Sequence, residues 1–390
     1  MADPKLKVAV FHDNFCQMGG AERVAEELHR ALAERGPVAL HSTLSAVAIL
    51  TPYLQGAGIR NTWMRWLPRP ARLFRTYFLL YPFAVDGVDL TEYDVIVSSC
   101  FGYAKGVRKR RGAGRPAVHV CYCHTPMRWV WRTNDYLARE GNSRLKTALL
   151  ALPLKWLKHW EAKAARQPDV YVANSGVVAR RLREAFGIEA AVIPPPIDTS
   201  RFAPLAGHEG DAPDDFYLVL SRLVPYKRFD LAVLAARALG RSLVIVGDGP
   251  DRARLESLAG GDAKIKFLGR LPDAEVADYA RRTRGLIFPG EEDFGMTPLE
   301  VNAAGRPVVA FRGGGATETI VDGLNGVFFD QPTPESLAAA ILRLEGTAWD
   351  AAAIRSHAAG FDAAIFRQRI RRFVDEALAA ATIGELGGSS

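Results

Sequence analysis

Residues 285–300 read GLIFPGEEDFGMTPLE. The apolar run Gly285–Phe288 stops at Pro289-Gly290. Glu291, Glu292 and Asp293 follow, and after Phe294-Gly295 the chain can open a helix at Met296 or Thr297. A short run that is apolar throughout suits a parallel strand covered on both faces. A strand, a loop and a helix in that order form the repeating half of a βαβ unit.

The same order recurs in both directions from this stretch. Upstream, candidate strands are Lys7–Phe11, Tyr93–Ser98, Ala117–Tyr122, Val170–Ala173 and Ala191–Ile193. A second series holds Phe216–Leu220, Leu243–Val246, Ile265–Leu268, Gly285–Phe288, Pro307–Phe311 and Gly326–Phe329. Helical signals fall between them at Ala21–Ala33, Asp230–Leu239, Pro250–Leu258, Asp273–Arg282 and Glu335–Leu344. Such alternation predicts doubly wound α/β sheets, and two series predict two similar domains. Pro194-Pro195-Pro196-Ile197-Asp198 separates them, because three prolines continue neither a helix nor a central strand. The expected domains are 1–200 and 201–365, with 366–390 as a final helix and tail; Ile365–Ala381 has helical periodicity.

With 390 residues, 48% hydrophobic and 24% charged, the chain has the composition of a globular protein with two or three cores. Extended disorder and a disulfide scaffold are excluded. The four cysteines suit a reducing compartment. The first residues lack a signal-peptide core, and no run of 18 apolar residues spans a bilayer. A cytoplasmic protein is expected, peripheral on the inner face of the plasma membrane if its basic surface meets lipid.

The net charge is +7, with 28 Lys+Arg against 17 Asp+Glu in residues 1–200 and 22 against 26 thereafter. The first half therefore carries all the excess. Gly58–Val85 holds five arginines, seven aromatics and no acid. Leu145–Trp160 and Lys105–Arg115 are also basic. Two readings stay open: a solvated basic face over buried aromatics, and contact with an anionic membrane surface. No nucleic-acid-binding signature accompanies the charge, so no nucleic-acid partner is expected.

Three motifs carry chemistry. Gly19-Gly20 opens the first helix, where backbone N–H groups and the helix dipole can meet an anion. It is not the dinucleotide G-x-G-x-x-G pattern. Arg222 and Lys227 share the loop after Phe216–Leu220, at the sheet edge where open α/β folds bind ligands. A planar fork and a compact charge suit a diphosphate. Glu292 and Glu300 flank the start of the predicted helix, with the backbone N–H groups of Phe294, Gly295, Met296 and Thr297 between them. Carboxylates accept from vicinal hydroxyls of sugars. His124 follows a strand beside Cys121 and Cys123; with no second Cys/His pair, no metal site is expected.

Together these motifs resemble the retaining glycosyltransferases of family 4, which have the two-domain GT-B fold. The resemblance spans the chain: G-G-A-E-R-V at Gly19–Val24, S-R-x-x-x-x-K at Ser221–Lys227, G-D-G-P at Gly247–Pro250, and E-x7-E from Glu292 to Glu300. The family's E-G-F-G is E-D-F-G here, and its P-N-G-V-D is Pro195-Pro196-Ile197-Asp198. The resemblance implies two Rossmann-like domains facing across a cleft. The first would bind the acceptor and the second the donor, with the last helix returning to the first. It implies that Arg222 and Lys227 hold the donor diphosphate and that Gly19-Gly20 approaches it. Glu300 would hold the ribose, Glu292 and His124 would meet the transferred sugar, and Gly269, Arg270 and Leu271 would lie along the base. No cofactor is implied beyond the nucleotide diphosphate sugar as co-substrate, and no metal. The stretch Cys123–Trp131 resembles bacterial polysaccharide and O-antigen mannosyltransferases. That makes GDP-mannose the leading donor and a lipid-diphosphate-linked saccharide the acceptor. UDP-glucose or UDP-N-acetylglucosamine transfer is the alternative. A non-catalytic nucleotide-sugar-binding scaffold and a 2-epimerase are the competing classes.

Overall fold

A computed structural model describes residues 6–109, 117–131, 144–208 and 212–387. The chain divides into two compact units, Met1–Pro194 with Ala364–Ser390, and Pro195–Ala363. The first holds seven strands: β1 Val8–His12, β2 Val38–Ser42, β3 Arg60–Asn61, β4 Val95–Cys100, β5 Val118–Cys123, β6 Val170–Ala173 and β7 Ala191–Val192. Their order across the sheet is β3-β2-β1-β4-β5-β6-β7. All are parallel. The second unit holds β8 Tyr217–Leu220, β9 Leu243–Val246, β10 Ile265–Gly269, β11 Gly285–Phe288, β12 Val308–Phe311 and β13 Gly326–Phe329. These are also parallel, in the order β10-β9-β8-β11-β12-β13.

Each sheet turns back at its centre, between β1 and β4 and between β8 and β11. The loops leaving those strands diverge there and open a crevice at the carboxyl edge. Every residue of β4, β5, β9, β11 and β13 is buried, as parallel strands covered on both faces require, and the polar Ser98, Ser99 and His119 among them are hydrogen-bonded. Each Val, Leu or Ile so covered contributes about 1.5–3 kcal/mol.

Four strands start and stop where the sequence places them, and the others shift by a residue or two. β2 and β3 are the exceptions, having no counterpart in the expected series. β2 reads VALHS, and its polar half is buried because His41 Nε2 bonds the Tyr93 hydroxyl at 3.1 Å. β3 has only two residues.

The division at Pro194 comes before the expected residue 200 because Ile197 belongs to the second unit. Ile197 pairs with Asp362 in a parallel bridge. Its N–H donates to Phe361 O at 3.0 Å, and its carbonyl accepts from Ala363 N at 3.1 Å. The chain therefore enters and leaves this unit through one bridged pair of segments. The last helix, Ala363–Gly387, then joins the first unit. Its apolar stripe, Phe366, Ile370, Val374 and Ala377, is buried. The Phe366 ring meets Tyr122 edge-on at 5.7 Å. On the flanking stripe, Arg367 bonds Glu27 at 2.6 Å, Arg371 bonds Glu34, and Asp375 accepts from Arg35.

Burial also pushes three histidines of the first sheet, His12, His41 and His119, below their usual range. His119, bonded to Ser98 Oγ at 2.9 Å, is pushed down to about 3 from 6.5 by desolvation. Between those values only the unfolded chain takes the proton. The stability that His119 contributes is thus complete above pH 6.5 and falls as pH falls. Wild type minus His119→Gln, compared by urea unfolding at pH 7.5 and 5.5, should change by about 1.4 kcal/mol against wild type at the lower pH.

Candidate functional site

At the carboxyl edge of the second sheet, four loops touch backbone to backbone, with a glycine on one side of every contact. A Cβ on Gly247 would lie 1.8 Å from Ser221 O, and one on Gly249 would lie 2.1 Å from Leu223 O. One on Gly290 would lie 2.7 Å from Lys227 Cα. Those on Gly314 and Gly315 would meet Glu292 O at 2.3 Å and Phe294 Cα at 2.2 Å. Hydrogen bonds stitch the same contacts: Leu223 N to Asp248 O at 3.0 Å, and Gly315 N to Glu292 O at 2.9 Å. The loops after β8, β9, β11 and β12 form one rigid platform.

On it, Lys227 Nζ lies 2.7 Å from Glu292 Oε1 and also donates to Ser221 Oγ. Arg228 turns the chain sharply after Lys227 with φ 55°, a left-handed conformation rare outside glycine. Its guanidinium bonds Asp230 at 3.2 Å. The helix Met296–Ala303 begins where the spacing predicts, so Glu292 precedes it and Glu300 lies just over one turn inside. Glu300 faces Arg201 at 3.5 Å, and Arg201 also pairs with Asp273 at 3.1 Å. The two carboxylates are thus each met by a cation, one from the β8 loop and one from the segment after the prolines. Arg222 has no hydrogen bond or ion pair among the described residues. Its charge remains available to an anion.

Other expected residues fare differently. Phe294 is a core side chain, 6.0 Å from the Phe361 ring, so only its backbone faces the loops. Gly295 is required twice over: its φ is 84° and a Cβ would lie 2.9 Å from the Phe288 ring. Met296 is partly buried against the core, and Thr297 is half-buried. Gly269 ends β10 with φ 72°, and its carbonyl accepts from Gly247 N at 2.7 Å. Arg270 is exposed and Leu271 packs on the core.

In the first unit the Gly19-Gly20 turn opens the helix Gly20–Ala33. The Glu22 carboxylate accepts Gly19 N–H at 2.9 Å and already caps the helix Gly20–Ala33. An acid in the first turn is the nearest anion to the helix's positive end. His124 follows β5, nearly buried, with its N–H on Cys100 O at 2.8 Å and its Nε2 2.9 Å from Ser99 Oγ. Ser99 also meets His12 Nδ1 at 3.0 Å.

The basic stretches separate. Lys105 is wholly buried, bonding Glu161 Oε1 at 2.5 Å and Gly102 O at 2.9 Å. Arg108 faces Asp86 at 3.6 Å and Lys109 bonds Asp169. The described part of Lys105–Arg115 is therefore ion-paired structure, not a free basic face; its residues 110–115 lie outside the described residues. Within Gly58–Val85, Met64 and Tyr81 are core, while Trp63, Trp66 and Phe83 are exposed. Phe83 stacks on exposed Trp156 at 5.8 Å, beside exposed Leu152. Among the described residues, no group of three or more His, Cys, Asp and Glu could hold a metal ion, and no helix is long and apolar enough to cross a membrane.

Spacing alone missed Arg201, Ser99, His12 and Gly313–Gly315. The three glycines straight after β12 were the one available signal. The others are polar residues that only the fold brings together.

The Glycosyltransferase Family 4 model matches residues 18–201, and the Glycosyl transferases group 1 model matches 207–357. A GDP-mannose-dependent alpha-(1-6)-phosphatidylinositol monomannoside mannosyltransferase of Mycolicibacterium smegmatis is 35% identical over 201 residues, 44% of this chain and 52% of that one. A D-inositol 3-phosphate glycosyltransferase of Acidothermus cellulolyticus is 34% identical over 47% of each chain. The chain spans about half the length of the curated relatives it matches. Among solved structures, Anabaena Alr3699/HepE in complex with UDP superposes with TM-score 0.67 at 18% identity, over 95% of this chain and 100% of that one. Sucrose-phosphate synthase from Thermosynechococcus elongatus gives 0.64 at 19% identity, over 97% and 98%. The chain belongs to the family 4-like glycosyltransferases of the GT-B fold.

The glycine contacts predict a graded response. Gly247→Ala should lower unfolding stability by more than about 2 kcal/mol, because a rigid backbone carbonyl must move. Gly261→Ala, with φ 75° but nothing within 4 Å, should lose only the strain of about 1 kcal/mol. Urea unfolding of the two variants checks this ordering.

Proposed function

We propose that this family 4-like chain is a retaining glycosyltransferase that moves a hexose from a nucleotide diphosphate sugar onto a lipid-diphosphate-linked saccharide. The observation that carries the reading is the Lys227–Glu292 pair at 2.7 Å on a rigid glycine platform, with Glu300 on the helix that follows. A diphosphate offers Lys227 a stronger partner than one carboxylate. When Lys227 turns to it, Glu292 loses its cation and needs donors, which the hydroxyls of a sugar supply. Arg222 adds a planar fork for the phosphate oxygens. The same two cations then stabilise the negative charge that grows on the leaving diphosphate. Glu300 trades part of its Arg201 contact for the ribose. In this reading His124 meets the transferred sugar, and the acceptor hydroxyl attacks on the face that the diphosphate leaves. The diphosphate sugar is the co-substrate, and the reading needs no metal.

GDP-mannose is the leading donor. The resemblance of Cys123–Trp131 and the name of the Mycolicibacterium relative both support it. The exposed Phe83–Trp156 stack with Leu152, flanked by exposed Lys155 and Lys158, supports a lipid acceptor. Aromatic rings sit at the headgroup level of a bilayer, and lysines attract anionic lipid. UDP-glucose is the second donor reading, supported by the HepE complexes with UDP and UDP-glucose.

Glu292→Ala should nearly abolish transfer while GDP binding, read by thermal shift, stays largely intact. Full activity in that variant would sink the assignment. A panel of GDP, UDP and ADP sugars should give the largest rise in melting temperature with GDP-mannose, since ligand bound to the native state stabilises it. On vesicles containing phosphatidylglycerol, co-sedimentation should weaken with salt, and Trp156→Ser should reduce it. Equal binding to neutral vesicles would argue against the anionic surface.

A further inference from the structure

Ser221 is the first residue after β8, beside Arg222. Its N–H donates to Val246 O at 3.0 Å, and its carbonyl lies so close to Gly247 that a Cβ there would come within 1.8 Å. The Ser221 backbone is thus pinned on both sides, to β9 and to the loop that follows it. Only the torsion about Cα–Cβ is left to place the hydroxyl. The turn Pro225–Lys227 brings the lysine back to it: Lys227 N–H donates to Val224 O at 3.0 Å, and Lys227 Nζ donates to Ser221 Oγ. The same ammonium lies 2.7 Å from Glu292 Oε1. Ser221, Lys227 and Glu292 therefore form one chain of polar contacts at the sheet edge. All three residues are partly exposed, so a ligand can reach them.

The direction of the Ser221 contact is fixed by chemistry. An ammonium has three N–H donors and no acceptor, so Lys227 gives and Ser221 receives. A serine hydroxyl that receives still has its own proton to give. Among the described residues Ser221 Oγ has no hydrogen bond other than the one from Lys227, so none of them takes that proton. The nearest carboxylate, Glu292, is held by the ammonium instead. Ser221 therefore offers one O–H donor beside the positive charges of Lys227 and Arg222, which is what an anion with several oxygens needs.

We propose that Ser221 is a third side chain of the diphosphate site, beside Lys227 and Arg222: its lone pair holds the Lys227 ammonium and its proton goes to a phosphate oxygen. The inference rests on the transferase reading, in which Lys227 meets the donor diphosphate. Phosphate oxygens carry negative charge and lone pairs, so a hydrogen bond to them is charge-assisted. The ammonium polarises the hydroxyl that it bonds and makes it a better donor. Ser221 also steadies the exchange of partners. One N–H of Lys227 stays on Ser221 while the contact with Glu292 passes to the ligand, so the lysine changes partners without being released to water.

The test is titration calorimetry of the full chain with GDP and with guanosine, which keeps the base and ribose and lacks phosphate; UDP and uridine take their place if GDP does not bind. Ser221→Ala should weaken GDP binding about tenfold and leave guanosine within about twofold. Lys227→Met should also weaken GDP, and adding Ser221→Ala to it should cost a further factor of about three or more. A loss that disappears in the Lys227→Met background makes Ser221 a mere support for the lysine and overturns the proposal. An equal loss for guanosine, or no loss for GDP, overturns it too. Ser221→Gly removes the same hydroxyl and should repeat the result, so a folding defect in one variant leaves the other to decide. If Lys227→Met and Arg222→Gln weaken GDP and Ser221→Ala does not, the transferase reading stands and the proposal alone falls. If Lys227→Met and Arg222→Gln bind GDP as the wild type does, or if neither nucleotide binds the wild type, the reading and the proposal fall together.

Discussion

The second unit's site depends on backbone approaching backbone with no side chain between. Parallel strands deliver four loops to one edge of the sheet. Loops of ordinary residues would be held apart by their β-carbons and would leave their polar groups to water. Glycines at 247, 249, 290, 314 and 315 remove that spacer, so carbonyls and N–H groups of neighbouring loops bond one another directly. Lys227 and Glu292 stand on opposite sides of these contacts. The backbones that carry them are therefore fixed by peptide geometry, while the side chains remain able to turn. The platform, rather than the charges, is in place before a ligand arrives.

The first unit solves the same problem with buried charge. Asp13 accepts N–H groups of Phe101, Tyr103 and Ala104, each at 2.6 Å. Glu161 gathers Lys105, Met127 N at 3.0 Å and Trp131 Nε1 at 2.7 Å. These two carboxylates tie down the loop after β4 and the segment after His124. A buried ion pair is weak evidence for stability but fixes geometry, because any other arrangement strands a charge in the core. The two units share a strand order and differ in how they stiffen its working edge.

Strand order and element positions were legible because all-apolar runs and their breakers obey short-range rules. Glu292 and Glu300 were legible because a helix start lay between them. Lys227 was found, but not that it pairs with Glu292, since that contact spans two strand–loop units. Arg201 was invisible for a related reason: its partners Glu300 and Asp273 are distant in sequence. Gly19-Gly20 was legible as a helix start, but not that Glu22 bonds the Gly19 N–H there. The acids that Lys105, Arg108 and Lys109 meet were likewise hidden, since a run of positive charge does not reveal its partners. His12 and Ser99 read as ordinary strand residues, and only register makes them neighbours of His124.

The return of the last helix has a consequence for how the polypeptide matures. Pro195–Ala363 is an insertion within the first unit, entered and left through the Ile197–Asp362 bridge. During synthesis its six strands emerge, and can pack, before Phe366 and Arg367 exist. The seven-stranded sheet must wait with the Tyr122 ring and the acidic side of the helix Gly20–Ala33 uncovered. The unit made first is thus the one finished last. A ribosome that stops before the final helix releases a completed second unit attached to an unfinished first, with an apolar face bare to chaperone and protease.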